Sequence, residues 1–150
     1  MIKPVLIPFR DAPVLRAFGE EVSILLGGEQ TGGAFTRFVE MTPPGCGPPP
    51  HLHEREDESF YVLEGCVSFF IEGRWIEAHA GDTVFAPRQQ VHAFKNNTSQ
   101  PTRMLIETMP SGFEKFFAEA AEEFAKPEGP SMQRAVQIAE SYGIRFVKEA

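Results

Sequence analysis

The sequence predicts an all-β domain followed by C-terminal helices, and three observations support this prediction. Short apolar runs rich in Phe, Val and Thr recur at close spacing from residue 22 to residue 109. Glycine and proline separate these runs, which is typical of strands joined by tight turns. After Pro110 the apolar residues adopt the i, i+3, i+4 spacing of an amphipathic helix. A chain of 150 residues, 42% of them hydrophobic, is long enough for one domain with a buried core.

Roughly nine short strands are predicted before Pro110, a number and spacing that favour a sandwich or barrel. One short strand carries His51 and His53, and the other predicted strands are 22–26, 34–41, 60–63, 67–71, 74–78, 83–86, 91–95 and 102–109. Residues 1–20 are predicted as an extended arm, and a turn is predicted around residues 29–31. The proline-rich run 42–50 excludes a helix or a central strand and forms a stiff lead-in to His51.

Two helices are predicted after Pro110. Ser111 lies three residues before Glu114, which is the spacing of a capping box. The first helix ends before Pro127, and its apolar face must pack on the barrel or on a partner chain; this face comprises Phe113, Phe116, Phe117, Ala120, Ala121 and Phe124. The second helix spans residues 131–142 and ends at Gly143. The apolar tail after Gly143 is expected to dock on the rest of the chain; it contains Ile144, Phe146 and Val147.

Composition and charge restrict the partners of this chain. The net charge is −7 and there is no basic stripe, so nucleic acids and anionic membrane surfaces are poor candidate partners. No apolar run approaches the roughly 20 residues of a membrane span. The apolar N-terminal run is short and broken by Pro4 and Pro8, unlike a signal peptide. We therefore expect a cytoplasmic protein with a small-molecule substrate or ligand, in which Cys46 and Cys66 are reduced thiols.

Three of the four histidines lie in two glycine-bounded segments and indicate a metal site built on strands. His51 and His53 are two residues apart, so their imidazoles share one face of a strand and can hold one ion. Glu58 follows His53 by five residues, which would place it on the opposite face of an unbroken strand. A turn or bulge within residues 54–57 must therefore reset the alternation before Glu58 joins the histidines. His92, after the second glycine-to-proline passage, completes the set.

The same residues resemble the two motifs of the cupin family in spacing. The first motif is matched throughout by Gly45, His51, His53, Glu58 and Gly65, and the second by Gly81, Pro87, His92 and Asn96. The one departure is Gln89, where the family usually has glycine. The chain looks most like small single-domain cupins that are likened to quercetin dioxygenases.

This resemblance implies a cupin-type double-stranded β-helix, a jelly-roll barrel. It implies one domain, residues 1–150, with the barrel at about 18–109 and a helical extension at about 111–150. It also implies one divalent transition metal ion bound by His51, His53, Glu58 and His92. These ligand types do not choose among Fe, Mn, Ni, Zn, Co and Cu. Glu58 can serve as a ligand, as a catalytic base, or as both in turn.

Three functions are compatible with such a site, because the fold alone does not decide the chemistry. The first is a metal-dependent dioxygenase for a small aromatic or enolic compound. Phe60, Phe85 and Phe94 would then line an apolar substrate pocket, although they could equally fill the barrel. The second is a non-enzymatic binding or sensing module. The third is an isomerase or lyase for a sugar-like substrate. Such a site needs basic side chains inside the barrel, and only Arg37 is a candidate for that position.

What lines the barrel discriminates among these functions. An apolar lining favours the dioxygenase, a basic lining the isomerase or lyase, and a filled barrel the binding module. Two further expectations concern side chains near the site. Glu54, Glu56 and Asp57 could be extra ligands, but a solvated turn at the barrel mouth is favoured, and His79 should be exposed. We also expect a homodimer, with contacts from the N-terminal arm or the residue 113–124 helix, because a barrel has edge strands to cover.

Overall fold

The structure, a computed structural model, describes residues 1–147 and consists mainly of antiparallel strands. The strands are β1 (Val14–Ala17), β2 (Glu20–Leu26), β3 (Thr36–Thr42), β4 (His51–His53), β5 (Asp57–Glu64), β6 (Cys66–Ile71), β7 (Arg74–His79), β8 (Thr83–Ala86), β9 (His92–Lys95), β10 (Thr102–Met109) and β11 (Ile144–Phe146). The helices are α1 (Gly28–Thr31), α2 (Phe113–Phe124) and α3 (Met132–Ser141). A 3-10 turn, Phe9–Asp11, precedes β1.

The strands form two sheets. One sheet has six strands in the order β1-β2-β3-β10-β5-β8, and the other has five in the order β11-β4-β9-β6-β7. Side chains from the inner faces of both sheets form a common core, whose largest fully buried members include Phe38, Phe60, Phe69, Met104 and Ile106. Burying each such phenylalanine contributes about 1.5–3 kcal/mol before conformational entropy is deducted. The predicted all-β architecture with C-terminal helices is confirmed.

Three details of the strands and turns differ from the sequence-based prediction. Strand β1 begins at Val14, inside the predicted arm, and the predicted turn at 29–31 is the single-turn helix α1. The C-terminal tail docks as a strand: Ile144 pairs with His53 and Phe146 with His51 in an antiparallel ladder. The extension is therefore not purely helical, because its end completes the edge of the second sheet beside β4. The predicted extension runs to residue 150, of which residues 148–150 lie outside the described part.

Helix α2 packs on the strands of its own chain. Phe113, Phe116 and Phe117 are buried, and the ring of Phe113 stacks on that of Phe38 with centroids 5.3 Å apart. The capping box predicted at Ser111 is wrong, because Gly112 occupies the N-cap position and has no side chain to cap with. The helix is instead fixed by its own Glu114.

The Glu114 carboxylate joins the start of α2 to the six-stranded sheet. It accepts hydrogen bonds from the Gly28 N–H at 2.6 Å, the Thr36 hydroxyl at 2.7 Å and the Gly112 N–H at 2.8 Å. Burial alone would raise the pKa of Glu114, but these hydrogen bonds outweigh burial and lower it. An ionised carboxylate therefore holds the extension to the barrel.

Helix α3 begins and ends where the sequence indicates. The Ser131 side chain accepts a hydrogen bond from the Arg134 N–H at 3.2 Å, so Ser131 is the N-cap. Gly143 has φ of +78°, a left-handed conformation that turns the chain from α3 into β11. None of the helices within residues 1–147 is both long and apolar enough to cross a membrane.

Candidate metal centre

Four buried side chains from β4, β5 and β9 meet inside the barrel. His51 and His53 come from β4, Glu58 from β5 and His92 from β9, where it pairs directly with His51. Each has a ligand atom within 4.8 Å of those of the others, and all four residues are buried. The structure thus brings together the complete set of predicted ligands, called the His–Glu group below.

A bend after β4 places Glu58 on the inner face. Strand β4 ends at His53 and β5 begins at Asp57, so residues 54–56 interrupt the alternation, as the spacing of His53 and Glu58 requires. The loop before His92 is tied to both strands. The Arg88 N–H donates to Asp57 Oδ1 at 2.9 Å, and the Gln89 N–H donates to the His53 carbonyl at 2.8 Å. These bonds hold the loop that leads into β9 against the end of β4 and the start of β5.

The outer ring nitrogen of each histidine has an acceptor, which fixes the orientation of the ring. His51 Nδ1 donates to the Pro49 carbonyl at 2.8 Å, and His92 Nδ1 donates to the Gln90 carbonyl at 3.2 Å. His53 Nδ1 donates to the Glu56 carboxylate at 3.1 Å. With Nδ1 protonated in each ring, Nε2 is left free of a proton in the neutral imidazole and can bind an ion.

Glu58 lies between two of the inner nitrogens. Its Oε1 is 3.1 Å from His92 Nε2 and 3.3 Å from His53 Nε2. Burial alone would raise the pKa of Glu58, but attraction to His53 and His92 outweighs burial and lowers it. Burial also lowers the pKa of His51, to about 3, and repulsion from His92 and His53 adds to this effect. At neutral pH the group therefore offers a carboxylate and an uncharged His51.

This donor set fits a divalent transition ion. Imidazole nitrogens together with a carboxylate are suitable ligands for such ions, and hydrogen-bonded outer nitrogens are typical of metal-binding histidines. The ligand types leave the identity of the metal open.

Glu56 corrects one expectation and was missed as a functional residue. The sequence predicts Glu54, Glu56 and Asp57 as a solvated turn, yet Glu56 is buried and accepts the His53 hydrogen bond. Burial lowers the pKa of His53, but attraction to Glu58 and the bond to Glu56 outweigh it, and the pKa is raised. The three-residue spacing from His53 to Glu56 is the sequence signal that could have identified this contact.

A cavity of about 360 Å³ adjoins the His–Glu group. Its polar lining comprises His51, His53, Glu58, Glu20 and Glu40. Its apolar lining is mostly aromatic and comes largely from the C-terminal extension; it comprises Phe18, Phe94, Phe113, Phe116, Phe117, Phe124, Met132, Ile144 and Phe146, with Gly47, Pro48 and Pro49 completing the wall. A larger surface groove of about 630 Å³ between β2 and the start of α2 contains none of the four candidate metal ligands.

The three phenylalanines proposed as pocket lining have different positions. Phe94 lines the cavity. Phe60 is fully buried behind the site, with its ring centroid 5.9 Å from that of His92, so it fills the barrel. Phe85 is 55% exposed, and its proposed role as lining is wrong. Phe85 pairs with Ser59, which lies between the inward residues Glu58 and Phe60, so both Ser59 and Phe85 face outward.

The lining has no arginine or lysine among residues 1–147. Arg37, the one basic candidate, lies outside the barrel and donates to Glu107 through Nε at 2.9 Å and Nη2 at 2.8 Å. His79 is exposed as expected. With Cys66 and Glu77 it forms a second group whose ligand atoms lie close together, but this group is on the protein surface.

Comparisons with known proteins agree with this architecture. The cupin domain family matches residues 38–107. The quercetin 2,3-dioxygenase of Bacillus subtilis is 27% identical over 131 residues, which cover 83% of this chain and 39% of that protein. An uncharacterised protein of Aquifex aeolicus is 37% identical over 62 residues, or 41% of this chain and 50% of the relative. The chain thus spans half or less of the curated relatives that it matches.

Solved structures show the same fold. A predicted oxalate decarboxylase from Thermotoga maritima superposes with a TM-score of 0.65 at 23% identity, over 71% of this chain and 99% of that one. A polyketide cyclase from Streptomyces resistomycificus gives a TM-score of 0.62 at 25% identity, over 74% and 81% of the two chains. Residues 38–107 of this chain are thus a cupin domain, and the two sheets form the double-stranded β-helix jelly roll of that class.

Proposed function

We propose that this protein is a metal-dependent dioxygenase acting on a small aromatic or enolic compound. The observation that carries the proposal is the cavity of about 360 Å³, which joins the His–Glu group to a largely aromatic wall. Such a wall suits a flat apolar ring and keeps water from it. The similarity to the quercetin 2,3-dioxygenase of Bacillus subtilis supports the same class of ligand.

His51, His53, Glu58 and His92 would hold the metal ion. Bound there, a divalent transition ion supplies Lewis acidity and a site for chemistry with dioxygen. The chain's own contribution is orientation: the Pro49, Gln90 and Glu56 acceptors hold the three rings in place before any ligand enters.

Glu58 is the group that can take a proton from the substrate. Its lowered pKa keeps it ionised at neutral pH, ready to accept the proton of a phenolic or enolic hydroxyl. Removal of that proton leaves the ring electron-rich and able to react with dioxygen. Both atoms of dioxygen enter the product, the substrate supplies the electrons, and Glu58 returns its proton at the end, so no further reductant is needed.

The alternatives are less well supported. A binding module was expected to have a filled barrel, whereas this barrel contains a cavity. A sugar-specific isomerase or lyase is expected to have a basic interior, and the cavity is lined by no arginine or lysine of the described chain. A cyclase or lyase acting without oxygen is the second candidate, supported by the resemblance to the polyketide cyclase and by the additional carboxyl groups Glu20 and Glu40 in the cavity.

Oxygen consumption with a panel of flavonols, catechols and enediols tests the proposal. The protein is loaded separately with Fe, Mn, Ni, Co and Cu, and product formation is followed with and without oxygen. The Glu58→Gln variant keeps an oxygen ligand but loses the base, so we expect it to lose rate more than metal content. Glu107→Gln is the matched control, because Glu107 pairs with Arg37 on the outer face.

The outcomes separate the two candidates. Oxygen uptake that requires both a metal and a panel compound would support the dioxygenase. Conversion that proceeds equally without oxygen would favour the cyclase or lyase. Absence of oxygen uptake with every metal and compound would refute the dioxygenase, and full activity of Glu58→Gln would exclude Glu58 as the base.

We also infer a homodimer in which the N-terminal arm takes part. The arm exposes apolar side chains, among them Ile2 at 59% and Leu6 at 84% exposure, whereas the apolar face of α2 is buried within its own chain. The arm is thus the better of the two contacts expected from the sequence. Light scattering at micromolar concentration tests this inference, and a monomer alone would contradict it.

A further inference from the structure

Two buried glutamates line the cavity away from the His–Glu group. Glu20 begins β2 and Glu40 lies in β3, where it pairs with Val22 of β2. Thr108 of β10 pairs with Glu58 of β5 on one side and with Thr36 of β3 on the other. Thr36 is therefore level with Glu58 across the sheet. Glu40 lies four residues beyond Thr36, which is roughly 13 Å along a strand. The cavity therefore has carboxyl groups at two positions along the barrel, near enough for the charge of Glu58 to contribute to the raised pKa values of Glu20 and Glu40.

The two carboxyl groups hydrogen-bond to each other. Glu20 also accepts a hydrogen bond from the Thr42 hydroxyl at 2.8 Å. Two ionised carboxylates can only accept, so the bond between them requires one proton. Burial raises the pKa of both groups, and repulsion from Glu20 helps to raise that of Glu40 well above its usual range. Glu40, whose pKa is raised further, is therefore the member that holds the shared proton.

Apart from the hydrogen bond between Thr42 and Glu20, no side-chain hydrogen bond ties the pair to the rest of residues 1–147. No basic side chain within residues 1–147 forms an ion pair with Glu20 or Glu40. A well-packed apolar pair at such positions is often at least as stable as buried polar groups. Both carboxyl-bearing residues line the same cavity as the aromatic wall, where a bound ligand can reach them. A neutral carboxylic acid in an apolar site is a strong hydrogen-bond donor to an oxygen atom.

We propose that the Glu20–Glu40 pair is a second polar pole of the cavity, which binds a hydroxyl or carbonyl oxygen of the ligand at the end remote from the His–Glu group. The proposal rests on the proposed function, because it identifies the substrate class more closely. The ligand is a flat aromatic or enolic compound with oxygen substituents at both ends. The aromatic wall holds the body of this ligand, and the two poles set its direction.

Two flavonol probes test the ligand part of the proposal. 3-Hydroxyflavone and 3,4′-dihydroxyflavone share one oxygen-bearing edge and differ by a hydroxyl on the remote ring. Binding is measured by calorimetry on the full chain as purified. We expect the dihydroxy probe to bind about tenfold more tightly, the difference that one hydrogen bond to such a group provides.

Three variants locate the difference in affinity. Glu40→Met removes the proton donor but keeps the length of the side chain, and it should reduce the affinity for the dihydroxy probe about tenfold while that for 3-hydroxyflavone stays within twofold. Glu40→Gln keeps a donor and should retain part of the preference, and it serves if the methionine variant does not fold. Glu107→Gln, on the outer face of the same sheet, should behave as the unmodified protein.

A second readout does not depend on ligand or activity. The unmodified protein at neutral pH should show the infrared carbonyl band of a protonated carboxylic acid, which Glu40→Met loses and Glu107→Gln keeps. Absence of that band overturns the proton-sharing pair, and equal affinities of the two probes, or binding of neither, overturn its role in ligand binding. Oxygen uptake is measured separately. If the protein shows the carbonyl band and prefers the dihydroxy probe but takes up no oxygen, the second pole is supported and the dioxygenase activity is refuted.

Discussion

Two regions of the chain line the same cavity. One is the set of strands that carry the His–Glu group, and the other is the C-terminal extension, residues 111–147. All four candidate ligands lie within residues 38–107, the part that matches the cupin domain family. The extension lies outside that part, yet it provides Phe113, Phe116, Phe117, Phe124 and Phe146 to the cavity wall. Under the proposed function, the strands would supply the metal ligands, whereas the extension would supply most of the aromatic wall against which the substrate fits.

The two regions are nevertheless physically joined. Strand β11 of the extension pairs with β4, so Ile144 and Phe146 lie beside the histidines. Glu114 bonds the start of α2 to Gly28 and Thr36 of the barrel. Variants in each region should separate their roles: those in the strands should change metal content, and those in the extension should change stability or ligand fit.

The largest effect is expected from His53→Ala. His53 Nδ1 donates to Glu56, and His53 Nε2 lies 3.3 Å from Glu58 Oε1, so its removal takes away a ligand and leaves two carboxylates without that partner. We expect most of the metal to be lost, and with it the thermal stabilisation by an ion that binds only the folded state. Elemental analysis of protein purified without a metal-affinity tag provides the measurement, and the unmodified chain should carry close to one ion.

His79→Ala is the matched control for His53→Ala. His79 is exposed and belongs to the surface group with Cys66 and Glu77, so its removal also shows how much metal that group holds. Metal content should stay near one ion per chain in this variant. Full metal content in His53→Ala would mean that the His–Glu group is not the metal site.

The next largest effect is expected from Phe117→Ala in the extension. Phe117 is 4% exposed and packs edge-on against Phe113 with ring centroids 5.1 Å apart. Truncation should cost about 3–5 kcal/mol in the free energy of unfolding, measured with urea. Metal content should be unchanged, because the ligands are on strands that do not include this residue. Phe85→Ala, at a 55% exposed position, should stay within about 0.5 kcal/mol of the unmodified protein.

If Phe117→Ala lost metal as well as stability, the roles of the two regions would not be separate. It would show that the aromatic wall helps to shape the His–Glu group, in addition to the ligand space.

A smaller effect that depends on pH is expected from Glu114→Gln. Because the pKa of Glu114 is lowered in the folded protein, its carboxylate contributes stability above the ordinary glutamate pKa of about 4.3. This contribution is lost as the pH falls through the lower folded value. We expect the variant to be less stable by about 1 kcal/mol at neutral pH, after allowance for solvent screening of this partly exposed group.

Urea unfolding at neutral pH and at progressively lower pH provides the measurement for Glu114→Gln. The difference between the two proteins should shrink on the acid side, because Glu114 is then protonated in both its folded and unfolded states. A difference that is constant over this range would show that the charge of Glu114 does not hold the extension to the barrel.

The sequence predicts the barrel strands and the His–Glu group well because both depend on local spacing. Turn residues mark the ends of the strands, and alternation around His51 and His53 gives the inner face. The same alternation predicts that Phe60, two residues after Glu58, faces inward. It predicts the same for Phe94, two residues after His92. The sequence identifies no inward-facing residue in β8. The outward orientation of Phe85 therefore follows only from the structure, in which Ala86 pairs with Glu58.

The rest of the cavity depends on contacts between distant residues. Glu20 and Glu40 look like ordinary strand glutamates until the fold brings them together. The tail after Gly143 is apolar enough to predict docking, but its pairing with β4 is a non-local ladder. Glu56 looked solvated because its neighbours are charged, and only the bend between β4 and β5 turns it toward His53. The homodimer and the extent of the single domain stay predictions.

Gln89 is the one departure from the cupin motifs, and it should give the smallest effect. It has φ of +70°, a left-handed conformation in which glycine carries no penalty and other residues cost about 1–2 kcal/mol. Its side chain donates to the Glu54 carbonyl at 3.2 Å, an exposed hydrogen bond that offsets part of that cost. Glycine would also increase the entropy of the unfolded chain. Gln89→Gly should therefore stay within about 0.5 kcal/mol of the unmodified protein.

Gln89→Val tests whether the loop requires the left-handed backbone conformation at residue 89. A β-branched residue tolerates the left-handed region poorly and cannot make the bond to Glu54, so valine should cost about 1–2 kcal/mol more than glycine in urea unfolding. Because the Gln89 N–H holds the loop to the His53 carbonyl, the valine variant should also bind metal more weakly. Equal stability of the glycine and valine variants would mean that the loop does not require the left-handed conformation, and that the usual glycine is dispensable here for another reason.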